Sequence, residues 1–150
     1  MTWKIRNVQT QKYMDAPGGA ICDGLGIIQY VDNGQQKQNQ YWQISPAGND
    51  LSTIANVATG KLLGIPGGAE VKYVNDVVVT QYAADGKDGN PTQAQLWQIA
   101  DDDHGHIKIV NAATGRVLSV PEGAGTDGVG IIQYEDRGGL NQRWLLDPKE

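Results

Sequence analysis

The stretch 29-QYVDNGQQKQNQYW-42 is a long polar run that ends in a large apolar side chain, Trp42. Gln40 stands two positions before Trp42 and gives the motif Gln-x-Trp. The same motif recurs as 95-QLW-97 and 142-QRW-144. A motif that returns after roughly fifty residues is typical of a chain built from structural repeats. Three of the four tryptophans therefore have one role, repeated three times.

Other short sequence patterns recur together with Gln-x-Trp, in the same order in each copy. A segment of alternating polarity that ends in Asn opens each copy, a Pro-Gly-Gly-Ala or Pro-Glu-Gly-Ala sequence follows it, and a Gln-Tyr pair precedes each Gln-x-Trp. This register predicts a single domain over residues 1–150, with repeats of approximately 1–47, 48–101 and 102–150. The shared positions are Asn7, Asn56 and Asn111, then Pro17, Pro66 and Pro121, and then Tyr30, Tyr82 and Tyr134.

Each repeat has the pattern of four β-strands. Short segments alternate in polarity or are rich in β-branched residues, as in 77-VVVTQY-82. No stretch keeps apolar residues at helical spacing over ten residues, so we expect little helix. A unit of about fifty residues cannot bury its apolar face alone, so three units must close around a common axis. We therefore predict an all-β fold, a β-trefoil of twelve strands in three pseudo-equivalent four-strand repeats.

Composition and charge limit the partners of the chain. The net charge of −5 disfavours nucleic acid, polyanions and anionic lipid. No apolar run approaches the length of a membrane span, so we expect no membrane insertion. Residues 1–6 contain no apolar signal-peptide core, which predicts a cytoplasmic protein and leaves non-classical release open. The single Cys22 cannot form an internal disulfide.

Three Gln-x-Trp motifs in register with three Gln-Tyr strands resemble the ricin-type (R-type) family of lectins and carbohydrate-binding modules. The resemblance runs from Trp3 to Leu146. It implies that each repeat can hold a shallow sugar site. In such a site an Asp at the end of the second strand accepts sugar hydroxyls, and an aromatic residue fifteen positions later stacks on the sugar ring. An Asn just before the Gln of Gln-x-Trp donates to the sugar, and that Gln supports the Asp and the Asn.

The first repeat matches this implied site. Asp15 lies fifteen residues before Tyr30, and Asn39 directly precedes Gln40. A carboxylate makes charge-assisted hydrogen bonds to two neighbouring hydroxyls, which favours a cis-diol such as the 3- and 4-hydroxyls of galactose. The aromatic face of Tyr30 suits the C–H side of the sugar ring. The family often has a Gln two places before the aromatic residue, where this chain has Ile28.

The other two repeats depart further from the family pattern. In the second repeat Gly64 replaces the Asp and Ala94 replaces the Asn, so both polar partners of a sugar are missing. The third repeat keeps the aromatic residue, the Asn and the Gln but has a neutral Ser in place of the Asp, and we treat it as a candidate second carbohydrate site. Its residues are Ser119, Tyr134, Asn141 and Gln142.

Several conspicuous residues have a simpler structural explanation. The tyrosine recurs even in the repeat without a site, which favours a partly structural role, and we expect Gln40, Gln95 and Gln142 to be mainly scaffold. The segment 101-DDDHGH-106 has carboxylates and imidazoles, but it fits a hairpin turn, and we predict no metal site there. Both histidines lie in that turn, so no catalytic residue and no cofactor is nominated.

Two classes of function remain. The first is a non-enzymatic lectin that prefers galactose or N-acetylgalactosamine, with glycans as partners and a homodimer as one route to avidity. The second is a β-trefoil that binds protein through its loops, such as a protease inhibitor, with a vestigial sugar site. The complete set of Asp15, Tyr30, Asn39 and Gln40 favours the first class.

Overall fold

The computed structural model describes residues 1–34 and 36–149, which form fourteen β-strands joined by turns and short 3₁₀ segments. The predicted twelve strands are confirmed, with the third strand interrupted in the first two repeats and thus counted twice. The strands are β1 (Thr2–Asn7), β2 (Tyr13–Asp15), β3 (Leu25–Gly26), β4 (Ile28–Tyr30), β5 (Trp42–Pro46), β6 (Ser52–Asn56), β7 (Leu62–Gly64), β8 (Val77–Val78), β9 (Thr80–Tyr82), β10 (Trp97–Asp101), β11 (Ile107–Asn111), β12 (Val117–Ser119), β13 (Ile132–Tyr134) and β14 (Trp144–Pro148).

The first and fourth strands of the three repeats form a closed barrel of six strands. Strand β1 pairs with β14 and β5, β6 pairs with β5 and β10, and β11 pairs with β10 and β14, all antiparallel. The ring has no free edge, so every barrel strand finds hydrogen-bond partners on both sides. This closure is the β-trefoil predicted from the three-fold register.

The second and third strands form three hairpins, which pair with one another in a second ring. The hairpins are β2–β4, β7–β9 and β12–β13. Strand β3 pairs with β9, β8 pairs with β13, and a bridge between Ile28 and Gly130 joins the first hairpin to the third. Every repeat therefore contacts both of the others, which is why one repeat could not stand alone.

The three tryptophans of Gln-x-Trp lie in the common core with no exposed surface. Each indole N–H donates to a backbone carbonyl of the second strand in its own repeat: Trp42 to Met14 (3.1 Å), Trp97 to Leu63 (2.9 Å) and Trp144 to Leu118 (2.9 Å). A buried indole needs such a partner, and here the bond ties the barrel to the hairpin.

The asparagines that end the first strands connect neighbouring repeats. Asn56 Oδ1 accepts from the backbone N–H groups of Ala58 and Thr59 and so closes the turn that follows. Asn56 Nδ2 donates to the carbonyl of Asn39 in the first repeat, at 3.0 Å. Asn7 and Asn111 make the same bonds to the carbonyls of Asn141 and Ala94. Each of these asparagines thereby fixes a backbone carbonyl in a neighbouring repeat, that of the residue directly before Gln-x-Trp.

Two negative observations concern the part of the chain that the structure describes. No helix there is long and apolar enough to cross a membrane. No group of three or more His, Cys, Asp or Glu side chains is placed to hold a metal ion.

Residues 102–106 lie in the turn between β10 and β11, as predicted, and Asp102 Oδ1 accepts from the N–H groups of His104 and His106.

Candidate functional site

The four residues nominated in the first repeat come together along the hairpin β2–β4, where Asp15 faces Ile28 and Tyr30 faces Tyr13. Asp15 ends that strand, Tyr30 ends its partner β4, and a 3₁₀ turn brings Asn39 and Gln40 beside them. They border or underlie a shallow depression of 260 Å³. The lining residues are Asp15, Pro17, Gly18, Ile28, Tyr30, Asn33 and Asn39.

The Asp15 carboxylate is held by two side-chain amides. Asn39 Nδ2 donates to Oδ1 at 3.1 Å, and Gln40 Nε2 donates to Oδ2 at 3.0 Å. Burial raises the pKa of Asp15 above its ordinary value, while these two hydrogen bonds and the nearby Lys4 act in the opposite direction. A carboxylate with one hydrogen bond on each oxygen keeps free lone pairs, so each oxygen can accept a further hydrogen bond.

Gln40 is the support beneath this site. Its side chain is fully buried and donates to the Val31 carbonyl (2.9 Å) as well as to Asp15. Its Oε1 accepts from the backbone N–H of Asn33 (3.1 Å) and from Lys4 Nζ (3.3 Å). All four hydrogen-bonding positions of the amide are in use, as expected of a scaffold residue.

Asn39 is turned toward the protein. Besides Asp15, its Nδ2 donates to the Ala16 carbonyl at 3.2 Å, and its Oδ1 accepts from Asn33 Nδ2 at 3.1 Å. The resemblance implied that this amide donates to the sugar, whereas here both of its N–H groups are used to position Asp15 and the chain after it. Asn39 still lines the depression, so a ligand would contact it there.

Lys4 is a site residue that the sequence reasoning missed. Its ammonium group donates to Asp32 Oδ1 (2.5 Å), to the Gly34 carbonyl (3.2 Å) and to Gln40. It therefore ties the polar loop after Tyr30 to the residue that holds Asp15. A signal was present: the third repeat has Lys108 and Asp136 in the same places, 3.5 Å apart.

Tyr30 supplies the apolar wall of the depression. Its side chain is 41% exposed, although it lies at the end of a strand. An exposed ring at the rim of a polar depression can stack on an apolar face of a ligand. Tyr82 and Tyr134 hold the equivalent places and are half-buried.

The third repeat also brings its nominated residues together, around a depression of 320 Å³. Gln142 Nε2 donates to Ser119 Oγ (3.2 Å), which takes the place of the Asp15 carboxylate. The ring of Tyr134 differs from that of Tyr30, because the guanidinium of Arg137 lies over it, 5.0 Å from its centre. One face of the aromatic platform is therefore already occupied.

A carboxylate from the neighbouring repeat also borders the third depression. Asp76 lines it from the loop before β8. Two glycines, Gly24 and Gly128, stand at the corresponding places of the other loops, and all three residues have a positive φ, between 69° and 88°. Because Asp76 belongs to the second repeat, no motif within the third repeat predicts its place in the third depression.

Comparison with known proteins places these features in a family. A family model described as "Ricin-type beta-trefoil lectin domain-like" matches residues 1–89 and 93–150. No curated protein sequence matches the chain. Among solved structures, the designed three-fold symmetric protein ThreeFoil is similar with a TM-score of 0.88 and 28% identity, over 98% of each chain.

Two natural proteins show the same likeness. The agglutinin of Rhizoctonia solani is 25% identical with a TM-score of 0.82, over 97% of this chain and 93% of that one. An exo-β-1,3-galactanase from Clostridium thermocellum is 27% identical with a TM-score of 0.83, over 97% of this chain but only 30% of the enzyme.

Proposed function

Because the chain belongs to the ricin-type β-trefoil lectin domain-like family, we propose that it is a non-enzymatic lectin specific for galactose or N-acetylgalactosamine. The binding site is the first depression, formed by Asp15, Tyr30 and Asn39 and supported by Gln40. The observation that carries this proposal is the Asp15 carboxylate, which is 3% exposed and is held by two amides at the base of a depression walled by an exposed tyrosine.

The chemistry of the depression suits a cis-diol. Each oxygen of Asp15 accepts one bond from the protein and can accept one from a sugar hydroxyl, so two adjacent hydroxyls fit one carboxylate. Tyr30 then covers the C–H face of the ring, which in galactose lies opposite the axial 4-hydroxyl. The likeness to a galactanase supports the choice of galactose.

Tyr30→Ala tests the stacking half of this proposal. We expect the substitution to weaken galactose binding beyond detection by titration calorimetry, since a shallow site starts near millimolar affinity, or about −4 kcal/mol. The matched control is Tyr73→Ala, which removes a tyrosine that is 81% exposed on the loop before β8. Equal galactose affinity in wild type and Tyr30→Ala would place the site elsewhere.

Acidification should release the sugar. The proposed bonds need an ionised Asp15, and burial raises the pKa of this group. Affinity should therefore fall as the pH decreases through the pKa of Asp15, and it should begin to fall at a higher pH than for an aspartate of ordinary pKa, about 3.9. Calorimetry with galactose from pH 7 downward measures this, with tryptophan fluorescence as the check that the fold persists. Constant affinity down to the acid-unfolding transition would contradict the role of Asp15.

The third repeat is proposed as a weaker second site. Ser119 offers a neutral hydroxyl instead of a carboxylate, and Arg137 must leave the face of Tyr134 before a sugar can stack there. Two weak sites on one chain, or two chains in a homodimer, would raise the avidity for a surface rich in glycans.

The alternative function is a β-trefoil that binds protein through its loops. One observation favours it: the loop before β8 exposes Tyr73 and Val74, at 81% and 45%. A glycan array separates the two functions. Wild-type protein that binds no glycan on the array would favour the protein-binding alternative.

A further inference from the structure

A buried lysine lies beneath the first site. Lys4 belongs to the barrel strand β1, and its side chain is only 8% exposed. Its ammonium group donates to Asp32 Oδ1, to the Gly34 carbonyl and to Gln40 Oε1, so all three of its N–H groups have acceptors. Burying a cation costs free energy even when it is paired, so we asked what this lysine does for the molecule.

Two tyrosine rings complete the surroundings of this ammonium group. The Lys4 nitrogen lies 5.1 Å from the centre of the Tyr13 ring and 5.2 Å from that of Tyr41, distances typical of cation–π contacts. The other two repeats have no aromatic residue at either place. The residues there are Leu62 and Val117 in place of Tyr13, and Leu96 and Arg143 in place of Tyr41.

The second repeat lacks both the site carboxylate and the lysine. Gly64 stands in place of Asp15, and Thr53 stands in place of Lys4. The partner of the lysine is also missing, because Ala84 replaces Asp32. The second repeat nevertheless folds in the same way, with its Gln-x-Trp tryptophan fully buried. The lysine and its aspartate are therefore not needed for the trefoil as such.

The third repeat keeps the lysine but not its position. Lys108 is 35% exposed and lies 3.5 Å from Asp136, which also pairs with Arg143. Here the neutral Ser119 replaces the site carboxylate. Over residues 1–34 and 36–149, a lysine donates to the Gln of Gln-x-Trp in the first repeat alone. The buried cation thus accompanies the one repeat that has a buried carboxylate in its site.

Gln40 connects the two charges. Its Oε1 accepts from Lys4 at 3.3 Å, and its Nε2 donates to Asp15 Oδ2 at 3.0 Å. Hydrogen bonds in such a chain polarise one another, so a cation at Oε1 makes the Nε2 group a stronger donor to the carboxylate. Burial raises the pKa of Asp15, whereas the hydrogen bonds from Gln40 and Asn39 and the charge of Lys4 lower it.

We propose that Lys4 is a positioning residue of the first site, which fixes Gln40 against Asp15 and supplies the counter-charge of the carboxylate that binds sugar. Lys4 does not line the depression, so it acts through Gln40 and not by contact with the ligand. This inference rests on the proposed carbohydrate-binding function and adds to it a residue from outside the depression.

The other titratable groups around Lys4 do not change charge where Asp15 does. The hydrogen bond from Lys4 lowers the pKa of Asp32, so Asp32 stays ionised to lower pH than Asp15. Burial raises the pKa of Tyr13 to about 12, and Tyr13 donates to Asp147, whose pKa its hydrogen bonds lower. A change in the titration of Asp15 therefore reports on the charge of Lys4.

Nuclear magnetic resonance of the ¹³C-labelled side-chain carboxyl of Asp15 tests the proposal in the free protein. Lys4→Met should raise the pKa of Asp15 above that of the wild type, because it removes the cation and keeps a side chain of similar length. Lys61→Met should leave the titration unchanged, since Lys61 pairs with Asp23 at 3.0 Å in a different repeat. Lys4→Gln removes the charge but keeps a donor, and it should act as Lys4→Met does.

Asp32→Asn separates the counter-charge from a simple tether of the loop. It breaks the same ion pair but leaves the cation in place, so the pKa of Asp15 should not rise. If Lys4 only held the loop, Asp32→Asn and Lys4→Met would change the titration of Asp15 alike. Equal changes would overturn the inference, as would a titration of Asp15 in Lys4→Met and Lys4→Gln that matches the wild type.

Galactose titrations followed by the backbone signals of Tyr30 and Asn39 complete the experiment. Lys4→Met should bind galactose about tenfold more weakly at pH 7, and its affinity should begin to fall at a higher pH than that of the wild type. Folded Lys4→Met that binds as tightly as Lys61→Met would contradict the proposal. Failure of the wild type to bind galactose would count against the proposed function, while the titration of Asp15 in the free protein still decides whether Lys4 is its counter-charge.

Discussion

Trp97→Ala should lower the free energy of unfolding by about 3–5 kcal/mol, the range for truncation of a large buried aromatic side chain. Trp97 has no exposed surface and lies among the apolar side chains of the common core. Its indole N–H donates to the Leu63 carbonyl at 2.9 Å, so the substitution also leaves a buried acceptor without its partner. Trp97 further occupies the strand position that pairs with Ser52 and Asn111, where two repeats meet in the barrel.

Urea denaturation followed by circular dichroism measures this change. The control is Trp3→Ala, because Trp3 is the one tryptophan outside the Gln-x-Trp motifs and is half-buried. We expect a smaller loss for Trp3→Ala. A midpoint for Trp97→Ala equal to that of the wild type would contradict the assignment of the Gln-x-Trp tryptophans to the core.

Asp15→Ala should abolish detectable binding of galactose. Charge-assisted hydrogen bonds contribute about 1.5–3 kcal/mol each, so the loss of even one weakens binding by a factor of about ten to a hundred. Because the wild-type site starts near millimolar affinity, the affinity of the variant would lie beyond the range of calorimetry. The loss should appear as reduced affinity without a change of fold, because the barrel strands do not depend on this carboxylate.

The effect of Asp15→Ala on the free energy of unfolding is separate from its effect on binding, because Asp15 also accepts hydrogen bonds from Asn39 and Gln40. Removal of the carboxylate leaves the amides of Asn39 and Gln40 each without one acceptor, which lowers the stability of the fold. It also removes a buried charge, which raises the stability; the same burial raises the pKa of Asp15. Asp101→Ala is the control for charge, since it removes a carboxylate from an exposed position. Galactose binding that survives in a folded Asp15→Ala protein would exclude the first depression as the site.

The organisation of the trefoil explains how these two effects remain separate. The tryptophans join the barrel to the hairpins from inside, whereas the site residues lie on the loops and strand ends outside that core. One link between them is the side-chain amide of Asn56, which donates to the carbonyl of Asn39. Side chains in the depressions could therefore diverge between repeats while the core stayed the same.

The repeat, the strand content and the fold follow from the order of the residues alone. Gln-x-Trp and the Gln-Tyr strands recur in register, and a unit of that size must close with its copies. The resemblance to the ricin-type family implied that Asp15, Tyr30, Asn39 and Gln40 form one site, and the pairing of β2 with β4 and the 3₁₀ turn bring these residues together. These are relations within one repeat, where sequence spacing translates directly into position.

The residues that line each depression depend on how the three repeats pack together. Lys4 reaches the first site from the barrel strand β1, Asp76 reaches the third from the second repeat, and Arg137 covers the ring of Tyr134. The second repeat, which the sequence marked as lacking a site, has the largest of the three equivalent depressions, and within the described residues the side chain of Gln95 beneath it donates to one carbonyl, that of Ala83. The physical reason is that these features depend on side-chain directions and on contacts between repeats, and a motif within one repeat specifies neither.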